Sequence, residues 1–337
     1  MSVALEKSRR LTVAPMMDWT DRHCRAFHRT LSKNALLYTE MVTARAVVHG
    51  DQDRLIGFSD QEHPVAVQLG GSEPEILAKA SKICADRGYR EINLNCGCPS
   101  DRVQSGTFGA ILMAHPELVR DCANAMQEAV PNTPVTIKCR IGIDDQDPHE
   151  ILPKFLETVA SAGITHFTIH ARKAWLQGLS PKENRDVPPL DYPLVLKMKE
   201  AFPTLHISIN GGITSLKEAQ SFLDQGLDGV MIGRSAYQTP WAVLGQADHL
   251  IWSELPPNQT PEEAVEAMGP YIQNALAEGQ KLSNITRHML GVFHGAPGAR
   301  RWRRYLSENA HKEGANAEVL KEALGRMKSL DAAHPPC

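Results

Sequence analysis

The sequence lacks the features that mark several large classes of protein. None of its apolar runs approaches the length of a membrane span, and the N-terminal residues include no apolar signal core. The net charge is only -3, so the overall charge gives no indication of a nucleic-acid partner. The seven cysteines follow no disulfide-framework spacing. We therefore expect a soluble, cytoplasmic protein with reduced thiols, no membrane association and no obligatory protein partner.

Two ligand-binding signatures are missing as well. No G-x-G-x-x-G motif follows the first apolar segment, which argues against a doubly wound dinucleotide-binding sheet without excluding it. Cys96 and Cys98 could form half of a zinc site, but no second pair follows at zinc spacing, so we predict no metal site. The cysteines that we expect to be inert core residues are Cys24, Cys84, Cys122 and Cys139.

What is present is a repeat of eight short apolar segments, each followed by an amphipathic stretch. The segments read as continuous apolar runs, as expected for strands that are covered on both faces. Strand then helix, eight times over, is the pattern of an α/β (β/α)8 TIM barrel, which we predict for residues 1–254. The predicted strands are Leu11–Ala14, Leu36–Thr39, Val65–Gln68, Ile92–Asn95, Val135–Lys138, Phe167–His170, Ile207–Asn210 and Val230–Gly233.

The pattern changes at a proline-rich linker that we place at residues 255–261. Thr260 and Glu263 have the spacing of a capping box, which indicates the start of a helix. Only helical periodicity follows, so we predict that residues 255–337 form a small helical bundle after the barrel. Its predicted helices are Pro261–Ala277, Leu282–Phe293, Ala299–Ala310 and Ala317–Leu330.

Polar residues collect at the carboxyl ends of the predicted strands, which a closed barrel would bring around one mouth. Cys98 lies there on a stiff turn between Gly97 and Pro99, a better setting for chemistry than for packing. Lys138 also ends a strand, and its burial would be costly unless an anionic group lay nearby. The other strand-end residues are Pro15, Met16, Met17, Gln68, Asn95, His170, Asn210, Gly211, Gly212, Gly233 and Arg234.

The last two strand ends carry glycines, at the positions where TIM barrels bind phosphate. Gly211 and Gly212 would let backbone amides approach a phosphate, and Arg234 could add a salt link. The alternative is that the pair serves only a tight turn. We favour the phosphate site, because two glycine turns occur together and one of them carries an arginine.

The predicted helical bundle contains a stretch, from Gly279 to Ser307, with basic residues and no acidic ones. Two interpretations stay open. The charges could form a solvated helix face with the aromatics packed inside, or they could contact phosphates while the aromatics stack on bases. The basic residues are Lys281, Arg287, Arg300, Arg301, Arg303 and Arg304, and the aromatic ones are Phe293, Trp302 and Tyr305.

These motifs together resemble those of the flavin-dependent tRNA-dihydrouridine synthases over nearly the whole chain. The resemblance to the enzymes of this family that act on U20 and U20a is carried by segments 173–185 and 298–305. The family-wide motifs are the run 14–18, the run 91–100, Lys138-Cys139-Arg140, His170-Ala171-Arg172, Asn210-Gly211-Gly212-Ile213 and Gly233-Arg234.

The resemblance implies an enzyme that reduces uridine to 5,6-dihydrouridine in the D loop of tRNA, with tightly bound FMN and with NADPH as reductant. It implies that Cys98 donates a proton to C5 of the base, a role that suits a thiol because thiols are largely protonated at neutral pH. It further implies that Asn95 hydrogen-bonds the uracil edge. Lys138 would balance charge on the reduced flavin, and His170 would hold the flavin ring or the base.

The resemblance also assigns the remaining binding residues. The expected cofactor-binding residues are Pro15, Met16, Met17, Gln68, Lys138, His170, Asn210, Gly211, Gly212, Gly233 and Arg234. The expected substrate- and tRNA-binding residues are Asn95, Arg172, Lys182, Arg185, Arg287, Arg300, Arg301, Arg303 and Arg304.

Three other functions are compatible with parts of the pattern. A flavin barrel similar to dihydroorotate dehydrogenase would act on a free pyrimidine and would not need an arginine-rich helical region. A lyase would use Lys138 as a Schiff-base amine. A non-catalytic RNA-binding protein would use only the basic stretch.

Overall fold

The computed structural model describes residues 3–100 and 108–328. Its centre is a closed barrel of eight parallel strands in sequence order, which confirms the predicted (β/α)8 TIM barrel. The strands are β1 (Leu11–Val13), β2 (Leu36–Thr43), β3 (Val65–Gly70), β4 (Glu91–Cys96), β5 (Val135–Arg140), β6 (His166–His170), β7 (His206–Asn210) and β8 (Gly229–Ile232). The barrel closes where Leu11 of β1 pairs with Val230 of β8.

Helices surround the barrel and connect its strands. In chain order they are α1 (Val3–Ser8), α2 (Arg22–Leu31), α3 (Ala44–His49), α4 (Gln52–Ile56), α5 (Pro74–Asp86), α6 (Pro116–Ala129), α7 (Pro148–Ala160), α8 (Tyr192–Ala201), α9 (Leu216–Asp224), α10 (Arg234–Gln238) and α11 (Ala247–Trp252). The main hydrophobic core lies between these helices and the outward-facing strand residues, such as Ile92 and Leu94 of β4.

The barrel interior is more polar than continuous apolar strands would produce. Successive residues of a strand point to opposite faces, and in β4 Glu91, Asn93 and Asn95 alternate with Ile92 and Leu94. The polar residues hydrogen-bond to side chains of the neighbouring strands inside the barrel. A small second cluster of apolar side chains fills part of the interior, and it consists of Leu5, Ala14, Leu36, Tyr38, Ala66 and Met231.

A helical region follows the barrel, as predicted. Its helices are α12 (Pro261–Glu266), α13 (Gly269–Ala277), α14 (Leu282–Thr286), α15 (Ala299–Asn309) and α16 (Glu318–Lys328). The capping box between Thr260 and Glu263 is confirmed, since the Thr260 hydroxyl accepts a hydrogen bond from the Glu263 amide at 3.1 Å. The boundary between residues 254 and 255 as a division between two domains stays a prediction.

Three sequence-based helix assignments are wrong in detail. The predicted helix Pro261–Ala277 is two helices, because Pro270 has no N–H and its ring opposes continuation of the preceding helix. The predicted helix Leu282–Phe293 ends its α-helical part at Thr286 and continues as a 3₁₀ turn. The run Ser72-Glu73-Pro74-Glu75 predicts that Ser72 caps α5, but Glu73 occupies the cap position. The predicted end at Leu330 lies outside the described residues.

The helical region packs on α2, the helix that follows β1. The His23 ring nitrogen Nδ1 lies 2.7 Å from the Tyr271 hydroxyl of α13. Trp302 of α15 is completely buried, and its indole N–H donates to the Met289 carbonyl at 3.0 Å. Since α2 starts at the carboxyl end of β1, the helical region adjoins the mouth of the barrel. In the described part of the chain, no helix combines the length and apolar character needed to cross a membrane.

Candidate active site at the barrel mouth

The turn that carries Cys98 is held by side chains from two strands. Asn95 lies near the end of β4, and its Oδ1 accepts hydrogen bonds from the backbone amides of Gly97 and Cys98, both at 2.9 Å. Arg140, from the end of β5, donates from Nε to the Gly97 carbonyl at 2.8 Å. Cys98 is partly exposed, whereas the other cysteines of the described residues are buried. The thiol is therefore accessible, and the backbone that carries it is fixed in place.

Lys138 lies mostly buried at the end of β5 without a carboxylate partner among the described residues. Its Nζ donates to Asn210 Oδ1 at 3.0 Å, and Asn210 in turn donates to the Met231 carbonyl at 2.8 Å. Burial lowers the pKa of Lys138 to about 8, and the nearby positive charge of Arg140 acts in the same direction. The costly burial expected from the sequence is thus present, and no protein anion within the described residues relieves it.

His170 ends the next strand and is mostly buried. Burial lowers its pKa well below the usual range, and the charges of Arg140 and Lys138 lower it further, so the imidazole is neutral. Within the described ranges, its Nδ1 has no hydrogen-bond partner. A Cβ at Gly211 would lie 3.2 Å from the His170 ring, and the backbone there has φ +111°. Glycine at position 211 therefore leaves the ring its space.

Among the residues that the structure describes, cations outnumber anions around this mouth. Besides Lys138 and Arg140, the arginines Arg172, Arg185 and Arg234 surround the site. Burial lowers the pKa values of Arg140, Arg172 and Arg185, and the charges of neighbouring arginines lower them further. Asp186 pairs with Arg234 at 2.7 Å. The Arg172 Nε atom is buried and has no hydrogen-bond partner in the parts of the chain that the structure describes. This electrostatic environment favours an anionic ligand.

The glycines expected to bind phosphate differ from one another. Gly212 has φ +72°, and a Cβ there would lie 2.6 Å from Leu190 and 2.8 Å from the Tyr192 hydroxyl. That hydroxyl donates to the Gly211 carbonyl at 2.7 Å. The fold itself therefore requires glycine at 211 and 212. At Gly233 a Cβ would make only ordinary contacts, the nearest being 3.6 Å from Ala14, so space remains there.

The residues after β1 and Gln68 of β3 lie at different depths in the barrel. Met17 is 58% exposed, and Pro15 and Met16 are partly buried. Gln68 is buried deeper in the barrel, where its Oε1 accepts from Asn95 Nδ2 and its Nε2 donates to Asn93 Oδ1, both at 2.8 Å.

The basic stretch of the helical region is solvent-exposed, but its aromatic residues are not available. Phe293 and Trp302 are buried against each other. The Tyr305 ring is covered by Arg326, and its hydroxyl bonds to Glu322. The interpretation that the aromatics stack on bases is therefore wrong for Phe293 and Trp302, whereas Tyr305 is half-buried and already in contact with Arg326. The exposed arginines of α15 are Arg300, Arg301, Arg303 and Arg304, of which Arg304 pairs with Glu308 at 2.7 Å.

Arg287 connects the helical region to the barrel. Its guanidinium lies 2.6 Å from Asp21, the residue that caps α2, and His288 contacts the same carboxylate at 3.0 Å. Burial opposes ionisation of Asp21, but the hydrogen bonds from His288, Cys24 and Arg287 outweigh it and hold the pKa of the carboxyl low. Arg287 is thus part of an interaction that orients the helical region at the mouth, which leaves it less free to bind a phosphate.

Lys182 and Arg185 are exposed on the long loop between β6 and α8. Asn184 fixes this loop from inside, since it is completely buried and exchanges two hydrogen bonds of 2.8 Å with the backbone of Trp175. Trp175 lies at the surface with the Lys173 ammonium 5.5 Å from its ring.

The family described as "Dihydrouridine synthase (Dus)" matches residues 12–328. This chain belongs to the dihydrouridine synthase family. A protein of Vibrio parahaemolyticus named tRNA-dihydrouridine(20/20a) synthase is 58% identical over 319 residues, which cover 94% of this chain and 97% of that protein. The Escherichia coli K12 protein of the same name is 59% identical over 318 residues, covering 94% and 91%.

Solved structures similar to this dihydrouridine synthase share its fold at low identity. An old yellow enzyme homologue from Zymomonas mobilis has a TM-score of 0.51 at 11% identity and covers 68% of this chain and 86% of its own. A second structure, TcOYE with pHBA, has a TM-score of 0.51 at 10% identity and covers 76% and 92%. At such identities the likeness concerns the barrel alone.

Three residues of this dihydrouridine synthase were not predicted to belong to the site. Arg140 was recognised only as part of a motif, although it holds the Cys98 turn and the loop after β6. Asn93 and Asn184 are buried amides with all their contacts inside the protein. The alternation of Asn93 with apolar neighbours in β4 was a usable signal for an inward-facing amide, whereas nothing local distinguished Asn184.

At the opposite end of the barrel, Glu6, His166 and His206 approach the geometry of a metal site. The Arg9 guanidinium already occupies that place, because its Nη1 lies 2.8 Å from His166 Nε2 and 2.6 Å from a Glu6 oxygen. Burial lowers the pKa of His206 to about 4, and the His166 charge acts in the same direction. The absence of a metal in this family member stays a prediction.

Proposed function

We propose that this enzyme reduces uridine to 5,6-dihydrouridine in the D loop of tRNA, at U20 and U20a, with FMN as bound cofactor and NADPH as reductant. The observation that carries the proposal is an accessible thiol, Cys98, on a fixed turn beside Lys138, a buried cation that lacks a carboxylate partner within the described residues. The relatives at 58–59% identity are named for the same reaction. Since the substrate is tRNA, we place the enzyme in the cytoplasm.

The mouth suits FMN in three respects. Lys138 offers positive charge where a reduced, anionic ring would lie, and His170 offers a neutral imidazole whose Nδ1 has no partner among the described residues. Gly233 leaves room for a phosphate, and Arg234 provides a positive charge beside it. When bound, FMN would supply the hydride for C6 of uracil, and NADPH would reduce the oxidised flavin again. The remaining expected contacts are those of Pro15, Met16, Met17, Gln68, Asn210, Gly211 and Gly212.

Cys98 would complete the reduction by giving its proton to C5 of the base. Arg140 and Asn95 hold the backbone of its turn, so the thiol does not have to be ordered during the reaction. The Asn95 carbonyl oxygen is already used by two backbone amides, and one of its N–H groups binds Gln68. Asn95 therefore has one N–H group without a partner among the described residues, and this group would donate to a carbonyl oxygen on the uracil edge.

The target base must leave its stack to reach the thiol, so tRNA would have to be held close to the mouth. The exposed arginines of α15 lie on the helical region that adjoins the mouth, and the loop after β6 adds Arg172, Lys182 and Arg185. Such phosphate contacts position an RNA but do not specify its sequence. We infer that the folded shape of tRNA provides the selectivity.

The direct test is to incubate the purified protein with NADPH and tRNA that lacks modifications, and to map the products by mass spectrometry. The proposal expects the gain of two hydrogen atoms at positions 20 and 20a and no reduction of free uridine. Efficient reduction of free uridine would favour an enzyme of free pyrimidines. Unchanged tRNA and uridine in the presence of reduced flavin would overturn the proposal.

The lowered pKa of Lys138 is also a property of lysines that form Schiff bases. Membership of the dihydrouridine synthase family counts against a lyase, and borohydride treatment separates the two. A stable adduct on Lys138 after reduction in the presence of a carbonyl substrate would support the lyase, and its absence would leave the charge-balancing role.

A further inference from the structure

A continuous chain of side-chain hydrogen bonds runs through the barrel interior from the Cys98 turn toward the opposite end. Asn95 binds the turn and donates to Gln68, which donates to Asn93. Asn93 donates to the Thr136 hydroxyl at 2.8 Å, and Thr136 donates to Glu91 at 2.8 Å. All five of these side chains are at most 7% exposed.

Both ends of this hydrogen-bond chain impose the same donor-to-acceptor direction on it. At the mouth, the backbone amides of Gly97 and Cys98 can only donate, so the Asn95 oxygen must face them and its nitrogen must face Gln68. At the other end, Glu91 is held ionised because Arg9 outweighs the cost of burial and keeps its pKa low. An ionised carboxylate can only accept, so the Thr136 hydroxyl must donate to it.

This leaves the middle of the chain with a single arrangement. A Thr136 hydroxyl that donates to Glu91 must accept from the nitrogen of Asn93, which turns the Asn93 oxygen toward Gln68. The Gln68 oxygen then faces Asn95. The Arg9–Glu91 pair, with both side chains at most 4% exposed, provides a fixed end, and no amide in the chain can flip without breaking two hydrogen bonds.

We propose that Asn93 and Thr136 are positioning residues for Cys98, because they fix the orientation of Gln68 and thereby the amide of Asn95 that holds the thiol's turn. Neither residue reaches the mouth, and each acts only through the next amide. The inference rests on the proposed role of Cys98 as proton donor. Its structural part, the ordering of the thiol by the chain, can be measured without turnover.

The test compares two isosteric substitutions inside the barrel. Thr136→Val removes the hydroxyl that links Asn93 to Glu91. Thr12→Val, the matched control, removes a buried hydroxyl that has no partner in the described ranges. With Thr136→Val we expect kcat on tRNA to fall about tenfold, KM for tRNA to stay within about twofold, and alkylation of Cys98 by iodoacetamide to become about threefold faster. Thr12→Val should match wild type in all three.

Two further variants keep the test decisive. Asn93→Leu should reproduce the effects of Thr136→Val, and it serves as the second probe if Thr136→Val does not fold. Thr136→Ser retains the hydroxyl and should restore kcat and the alkylation rate to within about twofold of wild type. Wild-type kcat and alkylation rate in folded Thr136→Val and Asn93→Leu would overturn the proposal. Wild-type turnover by Cys98→Ala would instead refute the proposed catalytic role, while the alkylation rates would still report on the chain.

Discussion

The two ends of the barrel both contain buried charged residues, but these residues differ in whether a side chain of opposite charge pairs with them. At the end opposite the mouth, Arg9 is paired with Glu91 and Glu6, and its neighbours His166 and His206 are hydrogen-bonded. At the mouth, Lys138 has only an amide partner in the described part of the chain, and arginines surround it. Paired buried charges serve the fold, whereas an unmatched cluster of one sign is a site prepared for a ligand. The contrast therefore supports the mouth, rather than the opposite end, as the candidate ligand site.

The largest expected effect is on chemistry at the mouth. Cys98→Ala should lower kcat on tRNA by about 10³-fold, the range typical of losing a general acid, while leaving NADPH-dependent flavin reduction intact. Stopped-flow measurement of the two half-reactions checks this. Cys84→Ala, at a buried thiol far from the mouth, is the control and should keep full kcat. Loss of flavin reduction in Cys98→Ala would mean that the thiol has another role.

At the opposite end, the expected effect is on stability. Glu91→Gln should lower the free energy of unfolding by about 3 kcal/mol, because it leaves the buried Arg9 charge without its main partner. Chemical denaturation monitored by circular dichroism measures the loss. Glu73→Gln, which breaks the exposed pair with Arg45, should produce no change that the same method resolves. Equal effects of the two substitutions would contradict the contrast between paired core charges and surface charges.

In the flavin-free protein, the buried charge of Lys138 should lower the free energy of unfolding. Its folded-state pKa of about 8 lies below the unfolded value of 10.5, so the unfolded chain binds more protons between these values and stability rises with pH across that window. Lys138→Met should therefore be more stable than wild type below pH 8, by up to about 3 kcal/mol, and the difference should shrink toward pH 10.5. Denaturation of flavin-free protein at several pH values measures it. A difference that does not vary with pH would contradict the unpaired charge.

The smallest expected effects concern RNA binding by α15. Arg300→Ala should weaken tRNA binding several-fold and reduce the salt dependence of the association constant by about one unit of slope, as expected for one phosphate contact. Arg304→Ala should have less effect because Glu308 already pairs with it. Lys321→Ala on α16, also exposed and paired, is the control. Filter binding at several salt concentrations distinguishes the three variants. Identical salt-dependence slopes for all of them would show that α15 is not part of the tRNA interface.

The barrel was predictable from the sequence because its signals are local. Each strand is short and apolar enough to recognise, and capping residues such as Thr260 mark helix starts. The strand-end residues Asn95, Lys138 and His170 follow from topology alone, since any closed barrel brings strand ends together.

The pairing of side chains was not predictable, because it depends on register between strands. That Asn93 meets Gln68 and Thr136 follows from pairings across β3, β4 and β5. The same holds for Arg140, which donates to the carbonyl of Gly97 in the Cys98 turn although it lies 43 residues later in the sequence. The sequence left open whether Trp302 packs inside or stacks on bases, because a charge pattern does not reveal which face of a helix is buried.

The central claim is that the cation-rich mouth holds a flavin beside Cys98, and its most direct test is an anaerobic spectrum of the purified protein. The protein is reduced with NADPH and then mixed with unmodified tRNA, using wild type and Cys98→Ala side by side. The account predicts a flavin absorption that NADPH bleaches in both, and that tRNA restores rapidly only in wild type. A protein that takes up no FMN, or a Cys98→Ala variant reoxidised by tRNA at the wild-type rate, would contradict it.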